Sequence, residues 1–223
     1  MNRETKPDRS IWLNTDRQTV SIIDQRLLPH ELVIVELVSV DDVIHAIKEM
    51  FVRGAPLIGV TAAFGVYLAI VNTPPDVSAD DYLHKECRRI REARPTAVNL
   101  TWAVDRVEAA AQSVQSAAER TAAAHNEAVA IEKEETENCR LIGENGMPLI
   151  AEISRKNKGR TVNILTHCNA GWLACVKHGT ATAPIYAAHD SGLDLHVWVD
   201  ETRPLNQGSR LTAWELGLSL IHI

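Results

Sequence analysis

The chain has 223 residues, 45% of them hydrophobic and 23% charged, which is globular composition and excludes disordered and collagen-like classes. Twenty-three Lys and Arg against 29 Asp and Glu give a net charge of −6. That balance leaves no basic surface to neutralise many phosphates and argues against a nucleic-acid partner, while a small anion held by one or two arginines stays open. The opening Met1 to Arg9 is charged, and no apolar run of about 18 residues occurs, so neither a secretion signal nor a membrane span is expected and the cytoplasm is the expected location. Four cysteines (Cys87, Cys139, Cys168, Cys175) form no CxxC pair, which indicates free thiols, with neither a disulfide framework nor a metal site.

The elements read in chain order as follows. Short Val- and Ile-rich strands are expected over 10–12, 19–24 and 31–37, separated by Asn, Asp, Pro and His. Asp41 is a candidate N-cap for a helix whose apolar face runs through Val43, Ile44, Ile47, Met50 and Phe51. Residues 57–71 read as a closely packed buried helix, too short to span a bilayer comfortably. After Pro74 and Pro75, Ser78 caps an amphipathic stretch around Leu83, Cys87 and Ile90. Residues 101–137 contain neither Gly nor Pro and predict one long helix or two abutting ones. Gly143 and Gly146 mark a change of grammar, with a further helix over 147–155. A buried strand follows at 162–165, a turn at 166–171 into a helix running to Gly179, a helix near 183–191, and a strand over 193–199. Strand, helix, strand at this spacing begins a parallel α/β sheet. The chain therefore divides near residue 130, with 1–130 mainly helical and 131–223 α/β.

Chemistry is expected where that sheet ends. Cys168 follows the first parallel strand, at the carboxyl end where open α/β sheets bind ligands. At a helix start its thiol would be activated and an anion held, and the alternative is a small cysteine filling space behind the strand. Cys175 reads as core, and His167 as a hydrogen-bonded structural residue. After the second strand, Arg203 or Gln207 could bind a polar ligand in the same crevice, or belong to a solvated, salt-bridged loop. In the front part Gly54 permits an unusual backbone angle, and Arg53 could clamp phosphate or complement a helix C-terminus. Arg94 before Pro95 fits ordinary turn chemistry or the same kind of clamp.

Four segments carry a resemblance: Arg53-Gly54-Ala55-Pro56-Leu57-Ile58-Gly59, Arg94-Pro95-Thr96-Ala97-Val98-Asn99-Leu100, Thr166-His167-Cys168-Asn169-Ala170-Gly171 and Asp200-Glu201-Thr202-Arg203-Pro204. In this order they resemble the methylthioribose-1-phosphate isomerases, over about residues 9–217. The wider family also holds ribose-1,5-bisphosphate isomerases and regulatory subunits of the initiation-factor exchange complex, which stand as the alternative readings. The resemblance implies a helical N-terminal domain with a small β-sheet beside a Rossmann-like parallel α/β domain. It also implies a homodimer, and cofactor-independent conversion of 5-methylthioribose 1-phosphate to 5-methylthioribulose 1-phosphate in methionine salvage. Carried over position by position, Arg53, Gly54, Ala55, Arg94 and Gln207 would bind the sugar phosphate and Cys168 would assist catalysis.

One departure accompanies the match. In the family the α/β domain continues past the Arg210 to Gly217 segment to an Asp that serves as general acid; here residues 218–223 read as an apolar tail of another kind. The Rossmann-like domain is thus expected to be incomplete and the chain as written to lack isomerase activity, since a positioned acid or base contributes about 10² to 10⁴ in rate.

Overall fold

The computed structural model describes residues 7–14, 16 and 18–223; the charged opening 1–6 lies outside them. The fold is α/β, and the described residues divide into two compact units, one within 11–26 and 33–134, the other of 7–10, 27–32 and 135–223.

The first unit opens with three antiparallel strands, β1 (Ile11–Asn14), β2 (Thr19–Ile23) and β3 (Ile34–Leu37), in the order β1-β2-β3. Ile11 pairs with Ile22 and Val20 with Leu37, and the central β2 is buried along its whole length. Four helices follow: α1 (Val40–Lys48), α2 (Ala55–Val71), α3 (Ala79–Arg91) and α4 (Val98–Gln112). Every residue of α2 from Leu57 to Ala69 is buried, so it is the apolar axis on which α1, α3 and α4 pack. The outer helices are joined by ion pairs, Arg91 to Asp105 at 2.5 Å and to Glu108 at 2.6 Å.

Two expectations are corrected in this unit. The N-cap of α1 is Ser39, not Asp41: the Ser39 hydroxyl accepts the Asp42 N–H at 3.2 Å while Asp42 Oδ2 accepts the Ser39 N–H at 3.0 Å, a capping box. The helix also ends at Lys48 instead of running through Phe51, because Met50 turns left-handed at φ 61° and Phe51 N–H reaches back to the Ala46 carbonyl.

Past Ser113, α5 (Ala117–Lys156) runs for 40 residues, its part up to Glu134 in the first unit and the rest in the second. The expected long helical region is therefore two helices. The second continues through Gly143, Gly146 and Pro148, where a change was expected. Gly146 is a close approach: a Cβ there would lie 2.4 Å from Pro184 Cγ. The glycine serves packing on a residue 38 positions away and does not break the helix.

The second unit holds two parallel strands, β4 (Val162–His167) and β5 (Leu195–Asp200), paired from Val162↔Leu195 to His167↔Asp200, with α6 (Ala183–Asp190) between them in sequence. The buried face of the sheet joins Val162, Leu195 and Val197 to Ile185, Ala188, Leu216 and Ile221 in one apolar cluster. On the other face Leu165 is 72% and Trp198 57% exposed. A single π turn (Gly208–Thr212) leads into α7 (Ala213–Leu218). The apolar tail is used in the core: Ile221 is buried and the His222 carbonyl accepts the Val197 N–H at 2.9 Å. The helix expected from residue 171 to Gly179 is absent. Only one 3-10 turn, Trp172–Ala174, forms, and His178 and Gly179 both take positive φ.

Candidate active site

Strand β4 ends at His167, and the next residue, Cys168, turns left-handed at φ 62°. A non-glycine residue held there costs about 1–3 kcal/mol and persists only where its surroundings fix it. Both backbone groups of Cys168 are fixed. Its N–H donates to the Asp200 carbonyl at the end of β5, 3.2 Å away, and its carbonyl accepts the Thr212 hydroxyl at 2.6 Å. Asn169 Nδ2 donates to the same Thr212 oxygen at 3.1 Å.

Cys168 thus stands at the carboxyl ends of two parallel strands, as its position after a strand led us to expect. The helix expected to start there is missing, so activation of the thiol by a helix dipole is withdrawn. Cys168 is the half-exposed thiol; Cys87, Cys139 and Cys175 are buried. Burial pushes the Cys87 thiol far up, and Cys175, hydrogen-bonded to Cys139 and desolvated, is likewise raised far above its usual range. Cys175 is core, in a loop and not in a helix.

The second strand end supplies a carboxylate-anchored loop. His167 Nδ1 lies 3.0 Å from Asp200 Oδ2, and that hydrogen bond, with the Glu201 N–H, holds the Asp200 carboxyl below its ordinary value. The Glu201 carboxylate accepts the N–H groups of Thr202 (2.7 Å), Gly208 (3.0 Å) and Ser209 (3.0 Å). Hydrogen bonding from Ser209, then the backbone donors, lowers its pKa to about 2. A Cβ on Gly208 would come within 2.4 Å of the Asp200 carbonyl oxygen, the atom that also accepts from Cys168. Through that one carbonyl the structure brings together the Cys168 turn and the segment carrying Gln207. Gln207 precedes the π turn, half-buried, its Oε1 enclosed with no hydrogen-bond partner among the described residues. Arg203 is exposed on the intervening loop.

Arg53, Gly54, Ala55 and Arg94 lie in the other unit. Since α1 ends at Lys48, Arg53 is not in its last turn, and the reading of this arginine as a helix C-terminal charge is withdrawn. It stands instead in the half-buried approach to α2, directly before Gly54, the N-cap at φ 94°. Arg94 begins a turn closed by the Ala97 N–H on its carbonyl at 2.9 Å, directly before α4. The two motifs meet inside this unit: a Cβ on Gly59 would lie 3.1 Å from the Asn99 carbonyl oxygen. Helices α2 and α4 both start with no side-chain cap and no acidic residue in the first turn. In their first turns Pro56 has no N–H and the Leu100 N–H donates to the Ala97 carbonyl at 3.0 Å, while an uncapped helix start suits an anion.

Among the described residues, no three His, Cys, Asp or Glu side chains are grouped as metal ligands, and no helix is long and apolar enough to cross a membrane. The anchoring roles of Glu201, within the Asp200 to Pro204 segment, and of Thr212 were not read from the sequence; Glu201 reaches Gly208 and Ser209, 7 and 8 residues on, and Thr212 reaches back 44 residues to Cys168.

A helical unit with two uncapped helix starts, and a unit of parallel strands in which a fixed cysteine follows the first strand, define an α/β protein. The profile of the Initiation factor 2 subunit family matches residues 51–222, and the chain belongs to that family. It is 64% identical over 95% of its length to the methylthioribose-1-phosphate isomerase of Desulfosudis oleivorans, and 61% over 97% to that of Desulfatibacillum aliphaticivorans. It spans 57% and 59% of those two relatives' lengths. Among solved structures it matches 5-methylthioribose 1-phosphate isomerase from Pyrococcus horikoshii with TM-score 0.85 and 35% identity, covering 98% of this chain and 59% of that one. The subunit delta of translation initiation factor eIF-2B from A. fulgidus matches with TM-score 0.84 and 35% identity, covering 97% and 61%.

Proposed function

We propose that the protein is an aldose–ketose isomerase converting 5-methylthioribose 1-phosphate to 5-methylthioribulose 1-phosphate, with Cys168 as catalytic residue. The observation that carries the reading is the half-exposed Cys168, held at positive φ at the ends of two parallel strands. A regulatory relative has no need of such a thiol. The curated isomerases that share up to 64% of its residues support the same choice.

The substrate carries a phosphate ester at C1, so the sugar cannot open spontaneously to a free aldehyde. Ring opening must be assisted before hydrogen moves from C2 to C1. In this reading Arg53 and Arg94 present forked donors to the phosphate, and the Ala55 and Leu57 N–H groups at the start of α2 add backbone donors. Gln207 offers an amide to a sugar hydroxyl, and its enclosed Oε1 is satisfied on binding. Cys168 assists proton transfer in a pocket shielded from water. The reading includes a two-domain division near residue 130, cytoplasmic location, homodimer formation and the absence of a cofactor, all supported by the family resemblance.

The test is turnover of 5-methylthioribose 1-phosphate and of ribose 1,5-bisphosphate by a protein extended with its relatives' remaining segment. Activity on the first sugar alone, lost in Cys168→Ala, is expected. A folded protein that turns over neither sugar overturns the proposal, and preference for the bisphosphate transfers it to the sister isomerase.

A further inference from the structure

We infer that Thr212 is a positioning residue for Cys168, holding the left-handed backbone from which the thiol is presented; this rests on the reading of Cys168 as the reactive group. Thr212 is completely buried, and its hydroxyl both donates and accepts a hydrogen bond. It gives its single proton to the Cys168 carbonyl at 2.6 Å and receives the Asn169 amide at 3.1 Å, so its direction is set from both sides. Cys168 N–H is held by the Asp200 carbonyl at 3.2 Å. The peptide groups on both sides of a residue at φ 62° are therefore tied to different elements, one to β5 and one to the end of the π turn. π turns interrupt helices at a cost and are found frequently at functional sites. Here the turn ends on the residue that grips the cysteine. One turn further on, the fully buried Glu215 accepts the Leu173 N–H at 3.1 Å, so α7 also holds the chain beyond Cys168.

Thr212 bonds the Cys168 carbonyl and the Asn169 amide, so its effect reaches the chemistry through the conformation of Cys168. The experiment is alkylation of this chain by iodoacetamide across pH 6 to 10, with sulfur displacing iodide at Cys168, followed by peptide mass spectrometry; the other three thiols are buried. Wild-type, Thr212→Val, Thr212→Ala and Thr212→Ser chains are compared with a free peptide of residues 166–171. Wild-type and Thr212→Ser are expected to share one pH–rate profile, distinct from the peptide's. Thr212→Val is expected to move toward the peptide by about fivefold or more, the population change that about 1 kcal/mol of released backbone strain corresponds to.

A folded Thr212→Val chain with the wild-type profile overturns the inference, as does a wild-type profile equal to the peptide's. Should valine and alanine both abolish folding while serine keeps it, Thr212 is a stability residue and the inference also fails. Alkylation requires no turnover, so an inactive enzyme would count against the isomerase reading and leave this one standing.

Discussion

Helices α1 to α4 of the first unit start in two different ways. Helices α1 and α3 are closed by side chains: Ser39 and Asp42 form a reciprocal box, and Ser78 accepts the Asp81 N–H with Asp80 and Asp81 in the first turn. Helices α2 and α4 start bare, from Gly54 and Ala97, with no acidic residue in the first turn, each preceded by an arginine of a recognised motif. Capping a helix contributes about 1 kcal/mol, so the uncapped pair forgoes stability that the other pair uses. What α2 and α4 have instead is burial. Leu57 to Ala69 are all buried in α2, and Leu100, Ala103, Val104 and Val107 in α4. Packing, in place of side-chain caps, holds these helices.

The largest effect should come from breaking that packing. Phe64 is fully buried in α2, and Phe64→Ala should cost about 3–5 kcal/mol by lost transfer energy and cavity formation. Urea unfolding measures it; a loss under about 1 kcal/mol would mean that burial does not hold α2. Next in size is Ser39→Ala, which removes one half of the capping box and should cost about 1–2 kcal/mol in the same measurement. Ser78→Ala should cost less, about 0.5–1 kcal/mol, because its hydrogen bond to Asp81 N–H is long at 3.4 Å and exposed. Equal losses at Ser39 and Ser78 would show that the shorter bond to Asp42 N–H, 3.2 Å against 3.4 Å, adds nothing.

How much of this was readable depends on how far each residue's partner lies along the chain. The β1 to β3 ribbon, the span of α2 and the strand before Cys168 follow from periodicity and punctuation within a few residues, and the sequence shows them. The Ser39 box is equally local, with an acid three residues on, although Asp41 stands closer to the apolar stretch and draws attention away from it. Gly146 misleads because its reason is Pro184, against which α5 packs. The 172–179 segment has helical spacing, but the Leu173 N–H is taken by Glu215, and no sequence window shows that bond. The candidate residues divide in the same way: Cys168, Arg53, Arg94 and Gln207 stand out within motifs, whereas Thr212 acts across 44 residues and leaves no local trace.

The smallest change sharpens the comparison most, because its two consequences have opposite signs. Ala97 has extended backbone at the N-cap of α4, with φ −85° and ψ 91°, and the structure gives it no side-chain acceptor. Ala97→Asp supplies the missing cap and a negative charge where the helix dipole favours one, and should stabilise the chain by about 0.5 kcal/mol. If the bare start serves a phosphate, the same carboxylate occupies the donors and repels the ligand, so KM for the sugar phosphate should rise in the extended protein. Ala97→Ser caps without charge and separates the two effects: it should stabilise similarly and raise KM less. A stabilised Ala97→Asp protein with unchanged KM would show that α4 is bare for want of a cap and that the phosphate is held elsewhere.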